Sequence, residues 1–357
     1  MSDLRRAPLA RFLTQRAAGA QRTEKRVFIV AVVLTLLAGA IACSGSAEGS
    51  GELVRIRVRA GAPFAEVAES LDARGVVENT RFFRLYARLT DQATRIRPGT
   101  YEFRQDLAWA RVLGDMVHGR VLTARLVIPE GMTVADMAPR IAQVAGVDAD
   151  SLAGALRDTA LSSRFDVPGP GLEGYLYPAT YTIQVDAHPD SIVAELVRTY
   201  HAVWTAERRA RADSLGMSEA EVVTLASIIE REAVRAEEMP LISAVYHNRL
   251  RIGMPLQADP TVQYALGGHR ERLLYADIER VRDHPYNTYG RRGLPPGPIA
   301  SASDRAIDAA LQPAEVQFLY FVARPDGTHV FSRTLTEHNR AREAIRREQR
   351  ASGRPIP

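Results

Sequence analysis

The sequence predicts an α+β protein attached to a membrane by its N-terminal end. Three observations carry this. An uncharged apolar run at residues 27–43 follows a basic tail. A strand, glycine turn and helix pattern at 53–75 recurs at 126–147. The stretch SEAEVVTLASIIEREA, residues 218–233, reads as a helix that delivers one carboxylate, Glu230, at the end of an apolar run.

The formal charge of +4 on 357 residues suggests a nucleic-acid partner, but the distribution argues against one. Residues 1–26 hold seven basic residues (Arg5, Arg6, Arg11, Arg16, Arg22, Lys25, Arg26) and two acidic ones, which leaves the rest of the chain near neutral. The basic tail is therefore expected in the cytoplasm, with 27–43 as the transmembrane segment. Its 17 residues just cross a hydrocarbon core of about 30 Å. A signal anchor, a cleaved signal peptide and a lipoprotein signal compete for this run. Cys43 raises the last of these, but the leucine expected in a lipobox before it is absent, which favours the uncleaved anchor. Cys43 is the only cysteine, so an intrachain disulfide is excluded. No paired-histidine spacing marks a metal site, and no cofactor is expected.

SGSAEGSGE, residues 44–52, reads as a polar linker that lets the body sit away from the membrane. Residues 53–165 form the next region. LVRIRVRAG alternates apolar and charged residues and ends on Gly61, a strand and a turn. PFAEVAESLDARG then places Phe64, Val67, Ala68 and Leu71 on one helical face, and NTRFFRLYARL gives a second helix. PGTYEFRQD predicts a turn and strand, and LAWARVLGDMVHGRV a short helix. In the recurrence, Gly131 stands where Gly61 stood, Met137 and Ala138 where Val67 and Ala68 stood, and Ile141 in place of Leu71. A second helix follows in DADSLAGALRD. These β-α-α units resemble LysM modules, which bind glycan chains.

Residues 166–345 are expected to form a mixed α/β catalytic domain with a lysozyme-like active-site helix, and 346–357 a tail. GPGLEGYLYPATYTI is a Gly-, Pro- and Tyr-rich loop or strand. SIVAELVRTYHAVWTAERRARADSL reads as a solvated linker helix. Ser218 and Glu221 carry the spacing of a capping box at the start of the Glu230 helix. MPLISAVYHNRLRIG is a further helix, HPYNTYGRRGLPPGPIASAS a long loop, FLYFVARPDGTHVFS a hairpin, and TEHNRAREAIRREQR a basic terminal helix.

A glutamate behind such an apolar approach is either a structural ion-pair partner, with Arg249 or Arg251 as its cation, or an acid whose desolvation keeps it protonated for donation to a leaving oxygen. Most glycosidases need a second carboxylate. Glu232 lies about 200° round the helix and reads as a solvated neighbour. Glu237 and Asp259 are the other candidates. One route needs a single carboxylate: a muramic-acid sugar attacks with its own C6 hydroxyl, and the same glutamate gives and then takes a proton. Gln257, Asn287, Tyr286 and Tyr289 would then orient the glycan.

Four segments, LASIIEREA, YHNRLRIGMPLQADPTVQYAL, YNTYGRRGLPPGPIASAS and LYFVARPDGTHVFSRTLTEHNRA, resemble in order and spacing the endolytic murein transglycosylases of the YceG-like family. LEGYLYPATY, residues 172–181, resembles that family's signature at the start of the catalytic domain. The resemblance implies Glu230 as the catalytic residue. It also implies Gln257, Asp259, Tyr286, Asn287, Tyr289, Glu173 and Tyr177 as substrate-binding residues. It further implies an inner-membrane enzyme facing the periplasm that cuts the MurNAc–GlcNAc bond of nascent peptidoglycan, leaves 1,6-anhydro ends and so stops strand elongation. Glycan strands would be the substrate and peptidoglycan synthases the protein partners. Ala179 departs from the pattern, standing where the family often has an aspartate.

Overall fold

The computed structural model describes residues 46–270 and 273–351. The expected basic tail, the transmembrane segment and Cys43 lie outside them. No helix among the described residues is long and apolar enough to cross a membrane. The described residues divide into two compact units at the 122/123 boundary. The boundary expected at 165/166 falls inside the second.

In the first unit, β1 (Leu53–Val58) pairs antiparallel with β2 (Gly99–Arg104), Ile56 opposite Tyr101. Between them run α1 (Phe64–Ala73) and α2 (Thr80–Leu89), and α3 (Trp109–His118) follows. Alternation sends Ile56 and Val58 inward, where they meet Val67, Leu71, Phe83 and Trp109 in one core. Gly61 takes a φ of +76° in the turn between β1 and α1, a conformation that a side chain would strain. Residues 46–52 are not the free linker the sequence suggests. The Ser46 N–H donates to Asp106 O at 2.9 Å and the Ser50 N–H to Gln105 O at 3.1 Å, so this segment is part of the unit.

The second unit opens with the same strand, glycine and helix order. β3 (Thr123–Val127) leads through Gly131, at φ +73°, into α4 (Val134–Ala145) and α5 (Ala149–Arg157). After α6 (Ala160–Arg164), the return strand β4 (Thr180–Gln184) pairs antiparallel with β3. Met137, Ala138 and Ile141 are buried as Val67, Ala68 and Leu71 are in the first unit. They share one core with the helices that follow.

Those helices are α7 (Pro189–Val203), α8 (Ala206–Leu215), α9 (Glu219–Glu232), α10 (Met239–Arg251) and α11 (Asp259–Ala265). Two more come after, α12 (Tyr275–Arg280) and α13 (Asp304–Leu311). The expected linker helix is two helices broken before Trp204, and α7 buries Ile192, Val193, Leu196, Val197 and Tyr200. Five apolar side chains on one face make it a core element, so the solvated reading is overturned. A hairpin of β5 (Tyr320–Ala323) and β6 (His329–Ser332), then α14 (Leu335–Ala351), close the described chain.

Candidate active site

Helix α9 starts as its sequence requires. The Ser218 side chain accepts from the Glu221 N–H, and the Glu221 carboxylate accepts from the Ser218 N–H at 2.8 Å. Every residue from Val222 to Ile229 is buried, and α13 packs along the helix. Its last turn reaches the surface, where Glu230 is half-buried.

Two loops meet Glu230 there. The segment 299–303 is fastened along α9 at points three residues apart on the helix: the Ile299 N–H donates to Ser227 Oγ at 3.0 Å, and the Ser303 N–H donates to Glu230 Oε2 at 3.0 Å. The Ser303 hydroxyl donates to the same oxygen at 2.5 Å. Residues 130–132 join this segment through Gly131 N–H to Ser301 O, 2.8 Å, and Ser301 N–H to Met132 O, 2.9 Å. Arg231 donates to Gly131 O at 3.1 Å. Glu230 therefore has one oxygen held by two donors, while Oε1 has no protein hydrogen-bond partner among the described residues.

Glu230 forms no ion pair among the described residues. The Arg249 guanidinium donates to Leu319 O at 2.7 Å and Leu256 O at 2.6 Å and lies 5.4 Å from the Tyr320 ring centroid, and Arg251 donates to Asn248 Oδ1 at 2.8 Å. Both cations proposed as its partners are engaged elsewhere.

The sequence reading missed Glu130 and Ser303. Burial, then the nearby charge of Glu230, raise the Glu130 carboxyl above its ordinary range, and Arg305 partly offsets them. Glu130 thus sits within electrostatic reach of Glu230, a place for which the sequence offered Glu237 and Asp259 only as candidates. Glu237 faces Arg235 at 3.9 Å instead, and Asp259 accepts from the Tyr289 hydroxyl. A signal for Glu130 existed in the recurrence, where Ala60 occupies the equivalent turn before Gly61. Ser303 was visible as the N-cap of α13, since its side chain accepts from the Ala306 N–H at 3.2 Å.

Glu232 is the largest correction. It accepts from the Tyr246 hydroxyl at 2.9 Å, and its carboxyl is pushed up to about 7 by burial and by Asp259, against the opposing pull of Tyr246 and Arg249. Glu232 is half-buried and tied to Tyr246, so it is a partnered carboxylate and not simply a solvated neighbour.

The remaining predicted residues divide. Gln257 is exposed, with a φ of +49° that is strained for a residue with a side chain. Its N–H donates to Thr288 O at 3.1 Å, and Thr288 Oγ1 accepts from the Ala258 N–H at 3.0 Å, so residues 287–289 fix the conformation before α11. Asn287 is fully buried. Its amide donates to Ile278 O and Val281 O, and its oxygen accepts from the Tyr289 N–H. These bonds correct its expected role from sugar contact to loop scaffold. Tyr289 is half-buried, its hydroxyl held above the ordinary range by burial and Asp259. Tyr177 is 7% exposed, its hydroxyl raised by burial and by Asp304.

Glu173 and Tyr286 come together at a separate cavity. Glu173 accepts from the Val134 N–H at 3.0 Å, satisfying a free donor at the start of α4, and from the Tyr264 hydroxyl at 3.3 Å. Burial pushes its carboxyl up to about 7 against these bonds. The Tyr264 and Tyr286 rings stand 4.8 Å apart, and with Glu173, Leu172, Pro139 and Val134 they line a cavity of about 510 Å³. Among the described residues no cluster of His, Cys, Asp and Glu could hold a metal ion.

These features define a protein built around a buried helix that delivers Glu230, its Oε2 held by Ser303, at its last turn. The chain belongs to the YceG-like family, whose model matches residues 56–344. It is 32% identical over 314 residues to the endolytic murein transglycosylase of Bacillus subtilis strain 168, covering 83% of this chain and 86% of that protein. It is 27% identical over 321 residues to the endolytic murein transglycosylase of Streptococcus pneumoniae D39, covering 82% of this chain and 58% of that protein. A 2.6 Å crystal structure of a yceG-like protein from Listeria monocytogenes superposes with a TM-score of 0.57 at 33% identity, covering 82% of this chain and 100% of the other.

Proposed function

We propose that the protein is a peptidoglycan lytic transglycosylase in which Glu230 acts as acid and then as base. The observation that carries this is the two-sided setting of Glu230, with Oε2 held by Ser303 and Oε1 open. Protonated Glu230 gives its proton to the oxygen of the MurNAc–GlcNAc bond as that bond breaks. The muramic C6 hydroxyl then forms a bond to C1 and returns its proton to Glu230. Water is not consumed, the product is a 1,6-anhydro end, and the carboxyl is restored. Names of the relatives supply the substrate class, and the reading that cleavage is internal to the strand rests on them too.

In this reading Gln257, Tyr286 and Tyr289 contact the glycan, the β-α-α first unit acts as a LysM-like glycan holder, and residues 27–43 anchor the chain with its body in the periplasm. Peptidoglycan synthases would be its protein partners.

Glu130 favours a second reading, hydrolysis, because a carboxylate of raised proton affinity beside Glu230 is suited to activate water. Mass spectrometry of products from purified glycan strands separates the two. Transglycosylation gives fragments one water lighter than hydrolysis, and Glu130→Gln leaves their formation largely intact. Reducing ends that vanish with Glu130→Gln would establish the hydrolase.

A further inference from the structure

Helix α2 of the first unit has three faces. Phe83 and Ala87 are fully buried in the core. Phe82, Leu85 and Leu89, three and four residues apart, form a second stripe, exposed by 59%, 51% and 58%. Arg81, Arg84 and Arg88 line the third face, beside that stripe. The ion pairs described in this unit, Arg55–Glu102, Arg59–Glu66, Arg111–Asp115 and Arg120–Asp115, use none of the three. Arg84 and Arg88 also border a cavity of about 690 Å³. The helix therefore offers water three bulky apolar side chains next to three cations that meet no carboxylate among the described residues.

The apolar run 27–43 ends three residues before Ser46. Ser46 is already fixed in the unit, donating to Asp106 O and accepting from the Ala108 N–H, both at 2.9 Å. Three residue steps span at most about 11 Å. A membrane anchor at 27–43 thus keeps the first unit against the bilayer.

We propose that α2 lies in the bilayer interface, with Phe82, Leu85 and Leu89 at the boundary of headgroups and acyl chains and Arg81, Arg84 and Arg88 on the phosphates of anionic lipids. An apolar stripe flanked by arginines is the pattern of an interfacial helix, and cations near the surface add attraction to anionic lipid. The inference rests on the anchor reading above. Docking would fix the first unit flat on the membrane.

The test uses the full chain carrying Cys43→Ser and Leu85→Cys, labelled at position 85 with an environment-sensitive dye. It is reconstituted in vesicles of phosphatidylethanolamine with phosphatidylglycerol and, separately, of phosphatidylcholine. In the anionic vesicles the dye should emit to the blue of its position in water and be quenched by shallow spin-labelled lipids. The shift should fall in phosphatidylcholine, in high salt and in the Arg81→Glu, Arg84→Glu, Arg88→Glu triple variant. A chain that leaves the vesicles in an alkaline wash overturns the anchor and the docking together. A chain that stays with the vesicles while its dye emits as in water overturns the docking alone, and the stripe then meets a protein or glycan. A blue shift indifferent to lipid charge and to the triple variant overturns the arginine–phosphate contact.

Discussion

Glu230 and Glu232 stand two residues apart on α9, are both half-buried and meet different neighbours. Glu230 meets two loops, takes two hydrogen bonds on one oxygen and leaves the other open. Glu232, about 200° round the helix, enters a cluster of Tyr246, Arg249 and Asp259 that raises its carboxyl to about 7. A shifted proton affinity commonly marks a catalytic group, yet the carboxyls of Glu232 and Glu173, both pushed up to about 7, are held by protein hydrogen bonds. What separates the two glutamates is their neighbours: a serine N–H and hydroxyl on Glu230, and a tyrosine hydroxyl, an arginine and a second carboxylate around Glu232. Glu230 and Glu232 each have one oxygen engaged, whereas Glu173 has both engaged and holds the start of α4.

The widest test of this contrast is amide replacement at each position. Glu230→Gln should reduce turnover on purified glycan strands by about 10²- to 10⁴-fold, the usual worth of a general acid-base group, without altering thermal unfolding. Glu232→Gln should keep turnover within several-fold. Full activity in Glu230→Gln, or collapse in Glu232→Gln alone, would move the chemistry to Glu232 and its neighbours.

Stability against pH sharpens the same contrast. Glu173 and Glu232 are each raised from 4.5 to about 7, so the folded state holds their protons more tightly than the unfolded chain. Their contribution is therefore fully favourable below about 4.5 and is lost as pH rises through about 7. The loss is on the order of 3 kcal/mol for each group. Denaturant unfolding at pH 5 and pH 8 should show it, and Glu232→Gln or Glu173→Gln should flatten the difference. Equal pH dependence in wild type and variants would mean that neither carboxyl is desolvated as described.

Ser303→Ala probes the other side of the comparison with a smaller effect. Its hydroxyl both donates to Glu230 and caps α13. The variant should lose about 1 kcal/mol of stability through the cap and up to about tenfold in kcat, since one hydrogen bond is worth about 0.5–1.5 kcal/mol. Ser303→Thr should restore both. A stability loss without a kcat loss would show that the backbone N–H alone positions Glu230.

How far the sequence could be read follows from the range of each interaction. The capping box of Ser218 and Glu221, the turns at Gly61 and Gly131 and the hairpin around Asp326 and Gly327 depend on neighbours within a few residues, and all were legible. Ser303 contacts Glu230 across 73 positions, and Arg231 contacts Gly131 across 100, so no local pattern announces them. Glu232 was misread for a different reason. Because 222–229 are buried all round, α9 has no polar face from which the side of its last turn can be inferred. Tyr246 and Arg249, three residues apart on α10, were the only local hint of a polar lining opposite it.

Gln257 offers the finest division, between what a backbone costs and what its side chain does. At φ +49° the residue is strained, and Thr288 holds it there through bonds to two successive N–H groups. Glycine adopts this conformation freely, so Gln257→Gly should gain up to about 1 kcal/mol of stability, whereas Gln257→Ala keeps the strain and should gain nothing. If the exposed amide orients the glycan, both variants should raise KM or lower kcat to a similar degree, although their stabilities differ. Steady-state kinetics on defined glycan strands, read beside denaturant midpoints, separates the two quantities. Activity loss in Gln257→Gly but not in Gln257→Ala would assign the residue to loop geometry and remove its side chain from the substrate contacts.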